Sequence, residues 1–313
     1  MIERPTMDTV KAFDAWYERA GVRSGPRRVH TDDDDINKGF FPDRLVPHLS
    51  HPLVLATEAP VQRYLQAQHL FQWLNFTAHF EVAVVSRATQ RIADGTSGLE
   101  LPNRVRLDGY KICVDEAYHS LYSLDVLVQL EERAGIAALP YDFGRFITAL
   151  DSVGDRTPDH RVLVQLLQVV VFETLITSIL VDIPNDTSVI TVVRDTVRDH
   201  AIDEGRHHAY FSSFFEHLWG QLDGATRTMV ATYLPKLIIH SLQPATAPAT
   251  AALIKSGFTA EATGTIVAES YNRQAVTESI RFASAKTVAL FERIGVLDIP
   301  GAPEQFAAEG LLP

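Results

Sequence analysis

DEAYH, from Asp115 to His119, and DEGRH, from Asp203 to His207, are the two stretches that decide how this sequence folds. Each places a glutamate and a histidine three residues apart, which is the spacing of neighbours on one face of a helix. Two such helices that face each other present two Glu-x-x-His pairs to a common interior. With one further glutamate from each of two more helices, they form a carboxylate cage for a pair of metal ions.

Two further glutamates in apolar surroundings complete such a set. Glu81 lies 35 residues before Glu116, and Glu173 lies 31 residues before Glu204. A buried carboxylate needs a cation or a dense set of hydrogen bonds. Four carboxylates carry four negative charges and two ferrous ions carry four positive ones, so a metal pair would offset the burial of all four together. The sequence therefore predicts two Fe ions that cycle between ferrous and ferric states, with manganese as the substitute metal.

Helical periodicity covers nearly the whole chain, and glycines and prolines mark the breaks between segments. We predict an all-α fold with a ferritin-like four-helix bundle core at about 60–220 and flanking helices in 1–59 and 221–313. The whole of 1–313 is expected to form a single domain. The predicted helices lie near 7–20, 60–94, 106–136, 142–151, 158–182, 187–220, 224–242, 246–256 and 260–296.

Composition narrows the classes of function. The chain has 313 residues, a formal net charge of −11 and no basic stripe, so nucleic acid is not an expected partner. The single cysteine, Cys113, excludes an intramolecular disulfide, and the N-terminus lacks an apolar signal core, so we expect a cytoplasmic protein. Val162 to Ile183 is long enough to span a bilayer, but two glutamines and Glu173 lie within it. We interpret this segment as a buried bundle helix with no membrane association, and the acidic run Asp32 to Asp35 as a solvated loop.

An aspartate precedes the glutamate of each Glu-x-x-His pair. Metal-ligating histidines usually donate their second ring N–H to a carboxylate. Here the pattern resembles bacterial di-iron monooxygenases, in which this aspartate pairs with the histidine of the opposite helix. The resemblance implies that Asp115 holds His207 and that Asp203 holds His119; surface acids are the alternative. It also implies a catalytic threonine near the oxygen site at Thr177, for which a core threonine bonded to its own helix backbone is the alternative.

A third histidine extends the set. His200 lies four residues before Glu204 and seven before His207, so the three share a helical face. In order and spacing, the full set resembles that of the p-aminobenzoate N-oxygenase family (AurF and CmlI type) over roughly 60–220. The resemblance implies a di-iron enzyme that uses O2 and an external electron donor, such as a ferredoxin or reductase, to oxidise a primary amine to a hydroxylamine, nitroso or nitro product. The implied metal ligands are Glu81, Glu116, His119, Glu173, His200, Glu204 and His207.

The substrate-facing positions are expected one turn from the ligands, on the helices of Glu81 and Glu173, where the lining is mostly apolar. The family binds the substrate carboxylate with an arginine on the first ligand helix. Here Phe76 occupies the position five before Glu81, and Arg87 and Arg91 lie the other way along the helix. Three classes of substrate stay open: an aromatic amine without a carboxylic acid group, an amino-acid-derived amine and an amine tethered to a carrier protein. The predicted pocket consists of Trp73, Phe76, Thr77, Val84, Val169, Val170, Ile176 and Leu180.

Three other functions stay open from the sequence. A different di-iron oxidase would be a C–H hydroxylase, a desaturase or a radical-generating, ribonucleotide-reductase-like subunit. The last needs a tyrosine near the irons, and Tyr118 projects off the ligand face. A non-catalytic iron-binding protein such as ferritin would not need three histidines, and a plain helical scaffold leaves four carboxylates in apolar helix faces unexplained. His208 is left unassigned, and a homodimer is one candidate for the oligomeric state.

Overall fold

The described part of the chain is all-α. A computed structural model describes residues 11–31 and 38–312, in which the backbone forms helices, their connecting loops and one isolated bridge between Gly39 and Val189. Short 3₁₀ turns occupy Asp43–Leu45, Pro47–Ser50, Ser152–Gly154 and Pro158–His160. The α-helices are α1 (Trp16–Arg19), α2 (Gly21–Ser24), α3 (Pro52–Leu55), α4 (Ala59–Phe80), α5 (Arg87–Asp94), α6 (Asn103–Ala134), α7 (Gly144–Asp151), α8 (Arg161–Leu180), α9 (Thr191–Gln221), α10 (Gly224–Leu242), α11 (Thr246–Lys255), α12 (Ala260–Ser270), α13 (Arg273–Ile294) and α14 (Ala302–Ala308).

Four long rods form the central bundle. α4 continues through a π-helical segment, Glu81–Ser86, into α5, and this first rod packs against α6. α8 packs against α9, and α6 against α9. α5 and the π-helical segment also contact α8, so the four rods close into a bundle. The predicted ferritin-like fold is confirmed.

α8 is the most buried of the four rods. Every residue from 164 to 176 is buried, which explains the unbroken apolar run in the sequence. By length and composition alone, two stretches of the described chain could cross a membrane: Pro158–Ser178, 72% buried over its most apolar window, and Gly224–Lys255, 28% buried. The first of these is the core of the bundle.

The predicted helix boundaries agree with the structure to within a few residues, except at the chain ends. The predicted helix at 260–296 is two helices, because the Asn272 side chain accepts a hydrogen bond from the Ala275 N–H and so caps a new helix, α13. The predicted helix at 7–20 is represented by α1, with 7–10 outside the described residues, as is the acidic run Asp32–Asp35. The short helices α2, α3 and α14 were not predicted.

Residues 13–28, here called the N-terminal clasp, cross both α6 and α9. Arg27 donates two hydrogen bonds to Asp125 of α6, at 2.7 and 2.9 Å. Arg28 makes the corresponding pair of hydrogen bonds to Asp199 of α9, at 2.7 and 2.9 Å. The clasp therefore ties together the two helices that carry the Asp-Glu-x-x-His segments.

Candidate metal centre

Seven acidic and imidazole side chains from the four rods meet in the interior of the bundle. Each is no more than 2% exposed. Glu81 lies where α4 continues into the π-helical segment, and π-helical turns occur frequently at functional sites. Their positions are Glu81 at the start of the π-helical segment, Glu116 and His119 on α6, Glu173 on α8, and His200, Glu204 and His207 on α9.

The seven side chains form two groups. Within each group, the potential ligand atoms all lie within 4.8 Å of one another. Both groups contain Glu204, so they are adjacent. Each group combines carboxylate oxygen with imidazole nitrogen, a donor set that suits iron, manganese or zinc. The first group is Glu81, His119, His200 and Glu204, and the second is Glu116, Glu173, Glu204 and His207.

Glu116 and Glu204 lie between the two groups. One oxygen of Glu116, Oε2, is 2.8 Å from His119 Nδ1, and the other, Oε1, is 2.9 Å from His207 Nδ1. Glu204 is placed in the same way, with Oε1 3.0 Å from His200 Nε2 and Oε2 3.5 Å from His207 Nδ1. Each carboxylate thus has one oxygen near an imidazole of each group, and Glu204 is itself a member of both groups.

The imidazoles are distributed unequally. His119 and His200 belong to the first group, with ring centroids 4.2 Å apart, whereas His207 is the imidazole of the second group. His200 Nε2 also lies 3.6 Å from Glu81 Oε1. The third histidine therefore makes one side of the centre richer in nitrogen.

The second group has the unsatisfied atoms that a cation would bind. Glu116 Oε1, Glu173 Oε2, Glu204 Oε2 and His207 Nδ1 are all buried without a hydrogen-bond partner in the described structure. His207 Nδ1 and Glu116 Oε1 are 2.9 Å apart, close enough to form an ion pair when the imidazole is protonated. Buried polar atoms are normally paired, so lone pairs that converge without partners fit a metal ion. The residues present therefore fit a pair of metals.

Protons balance the charge of the metal-free centre. Burial, together with the charges of Glu116 and Glu204, raises the pKa of Glu81 well above its ordinary value, and burial with the same two neighbours raises the pKa of Glu173. For Glu116 and Glu204 burial acts in the same direction, but the neighbouring imidazoles, above all His207, outweigh it and lower the pKa. Two of the four carboxyls therefore keep a proton more readily than a free glutamate does.

In the metal-free centre the pKa values of the three imidazoles are also shifted in different directions. Burial disfavours a charged His119, but Glu116 and Glu204 outweigh it and raise its pKa to about 10. The pKa of His207 is also raised well above the usual value, against the effect of burial, by the same two carboxylates and Asp115. Burial and the nearby His119 lower the pKa of His200. Metal ions would thus displace protons from both carboxyls and imidazoles.

Asp115 and Asp203 connect the two Asp-Glu-x-x-His helices crosswise. His207 Nε2 lies 3.3 Å from Asp115 Oδ2, and His119 Nε2 lies 3.4 Å from Asp203 Oδ2. Both aspartates are at most 1% exposed, so the alternative of two surface acids is excluded. The pairing across the bundle is the one expected from the sequence. It leaves Nδ1 of each histidine directed at the carboxylate cage.

The N-terminal clasp holds both aspartates, which the sequence did not predict. The Trp16 indole N–H donates to Oδ1 and Oδ2 of Asp115, at 2.9 Å each. The Gly21 backbone N–H donates to both oxygens of Asp203, at 3.2 and 3.3 Å. A Cβ at position 21 would lie 2.6 Å from Asp203 Oδ2, so a larger residue there would displace the Asp203 carboxylate. Phe13 stacks on His207, with ring centroids 5.9 Å apart.

Tyr122 is a second residue near the centre that the sequence did not reveal. Its ring centroid lies 5.4 Å from that of His119 and 5.9 Å from that of His200. The hydroxyl is buried and has no hydrogen-bond partner among the described residues. Tyr122 lies three residues after His119, so its helical spacing is a signal that could have identified it. It also lines a cavity of about 250 Å³ between the clasp, α6 and α9.

The predicted substrate pocket is mostly closed core. Among the described cavities, a larger one of about 630 Å³ lies where α4, α7 and α11 meet, and of the predicted residues Phe76 lines it. Phe76 packs on Phe80 and Phe172, which directly precede Glu81 and Glu173. Trp73 is partly buried. The remaining predicted positions are at most 5% exposed: Thr77, Val84, Val169, Val170, Ile176 and Leu180.

Thr177 and His208 lie outside both groups. Thr177 is half-buried, and the threonine bonded to its own helix backbone is instead Thr174, whose hydroxyl donates to the Val170 carbonyl at 2.8 Å. The catalytic role of Thr177 stays a prediction. Arg87, which follows Glu81 on the same rod, donates two hydrogen bonds to Asp151.

A helical bundle with buried carboxylates and imidazoles in two adjacent groups defines the class of dinuclear, carboxylate-rich metal proteins. A family model described as P-aminobenzoate N-oxygenase AurF matches residues 26–295, and the chain therefore belongs to that family. The match extends beyond the bundle into the flanking helices and confirms the family expected from the ligand pattern. Membership makes the chain an oxidoreductase of the oxygenase type, in a di-iron family. A search of the curated proteins gives no match.

Proposed function

We propose that this chain is a non-haem di-iron N-oxygenase that oxidises the primary amine of a small substrate with O2. One observation carries the proposal: four carboxylates and three imidazoles, all buried, form two groups that share Glu204 in a chain of the AurF family. The product would be a hydroxylamine, nitroso or nitro compound. We also propose a cytoplasmic location, since a chain with the single cysteine Cys113 suits a reducing compartment.

The two groups define which residues would hold each iron. One ion would be held by Glu81, His119, His200 and Glu204, and the other by Glu116, Glu173, Glu204 and His207. When bound, the irons would supply the redox chemistry that activates O2, with electrons from an external donor such as a ferredoxin or reductase.

The protein positions the ligands and controls water. Asp115 and Asp203 keep a proton on the Nε2 atoms of His207 and His119, so that the Nδ1 atoms stay available as ligands. The apolar side chains packed beside Glu81 and Glu173 exclude water from the reacting centre. Both functions depend on side chains that are rigidly buried.

We place the substrate on the side of Phe76. Phe76 lines the 630 Å³ cavity with Tyr141 and Phe146, an aromatic surface suited to an aromatic or otherwise apolar amine. Since phenylalanine stands where the family has its carboxylate-binding arginine, aminobenzoate itself is not the substrate that we propose. An aromatic amine without the acid, an amino-acid-derived amine and a carrier-tethered amine are the classes to test.

Product analysis tests the proposal. The diferrous protein would be mixed with ¹⁸O2 and a panel of these amines, and the products would be examined by mass spectrometry for an oxygen-labelled nitrogen. The matched control is His200→Ala, which retains six of the seven ligands and should still bind iron but should lose or redirect N-oxygenation. Unchanged amine oxidation in that variant would show that His200 is structural. A labelled alcohol from a hydrocarbon substrate, with no labelled amine, would favour the C–H hydroxylase.

A radical-generating oxidase is the second candidate, favoured by the position of Tyr122. Its ring contacts His119 and His200, and burial and the carboxylates of the cage raise its pKa well above the ordinary value. Electron paramagnetic resonance after O2 addition would detect a tyrosyl radical. A stable radical that is lost in Tyr122→Phe supports this candidate, and its absence together with an N-oxygenated product supports the first.

A further inference from the structure

Two buried glutamines interrupt the apolar run of α8. Gln165 is 5% exposed and Gln168 is 1% exposed, and each accepts a hydrogen bond from an arginine of α5. Arg91 Nε donates to Gln165 Oε1 at 3.0 Å, and an Arg87 guanidinium N–H donates to Gln168 Oε1 at 2.7 Å. A buried amide costs free energy unless it is hydrogen-bonded, whereas a leucine at either position would fill the core without that cost. The two glutamines therefore have a role other than filling the core.

Gln168 also binds α7, to which Gln165 makes no hydrogen bond in the described structure. The side-chain amide of Gln168 donates to the Leu150 carbonyl at 3.2 Å and to Asp151 Oδ1 at 3.0 Å. Arg87 donates to both oxygens of Asp151, at 3.0 and 2.9 Å. Burial would raise the pKa of Asp151, but the hydrogen bonds from Arg87 and Gln168 outweigh it and lower the pKa, so the carboxylate stays charged. We call Arg87, Asp151 and Gln168 the α7 anchor.

The α7 anchor holds a helix that has little else to fix it. Helix α7 has 8 residues, of which Leu150 is the one that is buried. A helix of this length is not stable by itself in water, and one buried leucine gives it little apolar surface to pack. A two-pronged pair between an arginine and a carboxylate fixes orientation as well as distance. The anchor therefore fixes the last turn of α7 against α5 and α8.

Helix α7 forms one wall of the 630 Å³ cavity, through Phe146 and Ala149. The Phe146 ring packs edge-on against Phe76, which lines the same cavity, with ring centroids 4.9 Å apart. Both wall residues precede Asp151 on the same short helix, so a shift of the anchored turn would move both side chains. The position of this wall is thus set by hydrogen bonds to α5 and α8, two helices of the metal-binding bundle.

We propose that the α7 anchor sets the width of this cavity and thereby determines which amines the enzyme accepts. The inference rests on the proposed function, in which the cavity holds the amine. Arg87, Asp151 and Gln168 are positioning residues, which act on the substrate through Phe146 and Ala149. A fixed wall favours the smaller of two aromatic amines, because a wall that moves away packs less closely on a small ring and leaves room for a second ring.

Hydrogen exchange on the iron-loaded protein tests the anchor without any substrate. The backbone amides of α7 should exchange faster in Gln168→Leu than in wild type. Gln165→Leu is the matched control, since it removes an arginine–glutamine hydrogen bond between the same two helices and should leave α7 unchanged. Asp151→Ala is a second variant outside the bundle core, because the Asp151 side chain is 34% exposed. Unchanged exchange of α7 in both Gln168→Leu and Asp151→Ala would overturn the proposal.

Amine binding to the iron-loaded, oxygen-free protein tests selectivity and needs no turnover. Calorimetry with aniline and with 1-naphthylamine gives the ratio of two dissociation constants. In Gln168→Leu and Asp151→Ala this ratio should shift roughly tenfold in favour of 1-naphthylamine, and Gln165→Leu should keep the wild-type ratio. An unchanged ratio in the first two variants, an equal shift in Gln165→Leu, or no binding of either amine to wild type would overturn the proposal.

Product analysis with ¹⁸O2 separates this proposal from the proposed function. A labelled amine product together with an unchanged ratio would overturn the role of the α7 anchor and leave the N-oxygenase standing. The expected shift in the ratio, without any labelled amine product, would support the anchor and contradict the N-oxygenase.

Discussion

Glu204 is the residue on which both halves of the metal centre depend. It belongs to both groups, and its two oxygens lie towards His200 on one side and His207 on the other. Spacing along α9 predicts that these three side chains share a face. It does not predict that Glu204 is shared, because that depends on distances between helices.

Replacing Glu173 by a residue of similar volume should separate metal binding from folding. Burial raises the pKa of Glu173, which shows that its charged form is disfavoured in the metal-free protein. Glu173→Leu should therefore leave the metal-free form as stable as wild type or up to about 4 kcal/mol more stable, as for other buried charges replaced by apolar residues. The stabilisation by ferrous ion should largely disappear. Thermal unfolding with and without ferrous ion checks both, and a strongly destabilised metal-free variant would make Glu173 a structural residue.

Trp16→Phe should weaken metal binding while it preserves the fold. The change removes the N–H that Asp115 accepts and keeps an aromatic ring. Outer partners of this kind are worth roughly 10–100-fold in metal affinity, and we expect the lower end because Trp16 acts through Asp115. Cobalt titration followed by visible absorption measures the affinity and the geometry together. Trp219→Phe is the control, since Trp219 is 6% exposed and Trp16 is 7% exposed; equal effects in the two variants would reduce Trp16 to a packing residue.

Helical spacing relates residues that share a helix, but it carries no information about residues that meet across long distances in the chain. The seven predicted ligands and the two aspartates lie at helical spacings or in apolar helix faces, so their types and gaps predict a common site. Trp16 and Gly21 are separated from their aspartates by 99 and 182 residues. No local pattern encodes those contacts. Most of the predicted substrate pocket is packed core for a related reason: sequence identifies the side of a helix, not the cavity beside it.

At the scale of elements, periodicity predicted the rods and missed the π-helical segment at Glu81–Ser86. A π-turn adds one residue without breaking the rod, so the letters of the sequence still suit one long helix. The N-terminal clasp was missed because its helices are four residues each. The clasp is held in place by its hydrogen bonds to four aspartates of α6 and α9, and not by helical propensity. These aspartates are Asp115, Asp125, Asp199 and Asp203.

Metal binding should protect the N-terminal clasp from proteolysis. If the clasp stabilises the aspartates that hold His119 and His207, linkage requires the bound metals to stabilise the docked clasp by the same factor. Arg19 and Arg23 are exposed trypsin sites within it. Trypsin should cut there more slowly in the loaded protein than in the metal-free one. Cleavage at the exposed Arg293 of α13 serves as the internal control, and equal protection at both places would indicate general stabilisation only.

At the scale of the whole molecule, the buried centre couples stability to pH. The pKa values of His119 and His207 are raised above the usual 6.5, so their stabilising contribution is complete below that pH and is lost as the pH rises towards the folded value, about 10 for His119. Those of Glu81 and Glu173 are raised above 4.5, so their contribution also falls as the pH increases. At alkaline pH all four groups therefore lower the stability of the folded, metal-free protein.

The metal-free protein should therefore lose thermal stability between about pH 7 and pH 9. Metal binding releases the same protons, so affinity for ferrous or cobalt ion should rise over that range and the loaded form should keep its unfolding temperature. Thermal unfolding with a chelator and with saturating metal, at matched ionic strength, measures the difference. A metal-free form that gains stability towards pH 9 would contradict the protonation pattern of the centre.

The metal content of the protein tests the central claim most directly. Anaerobic titration with ferrous ion, followed by elemental analysis after removal of the excess, should saturate at two irons per chain, because the two groups contain complete and separate donor sets apart from the shared Glu204. Glu204→Ala, which removes the residue common to both groups, should fall clearly below two. Saturation of the wild-type chain at one iron or none, with manganese and zinc also absent, would contradict the dinuclear centre.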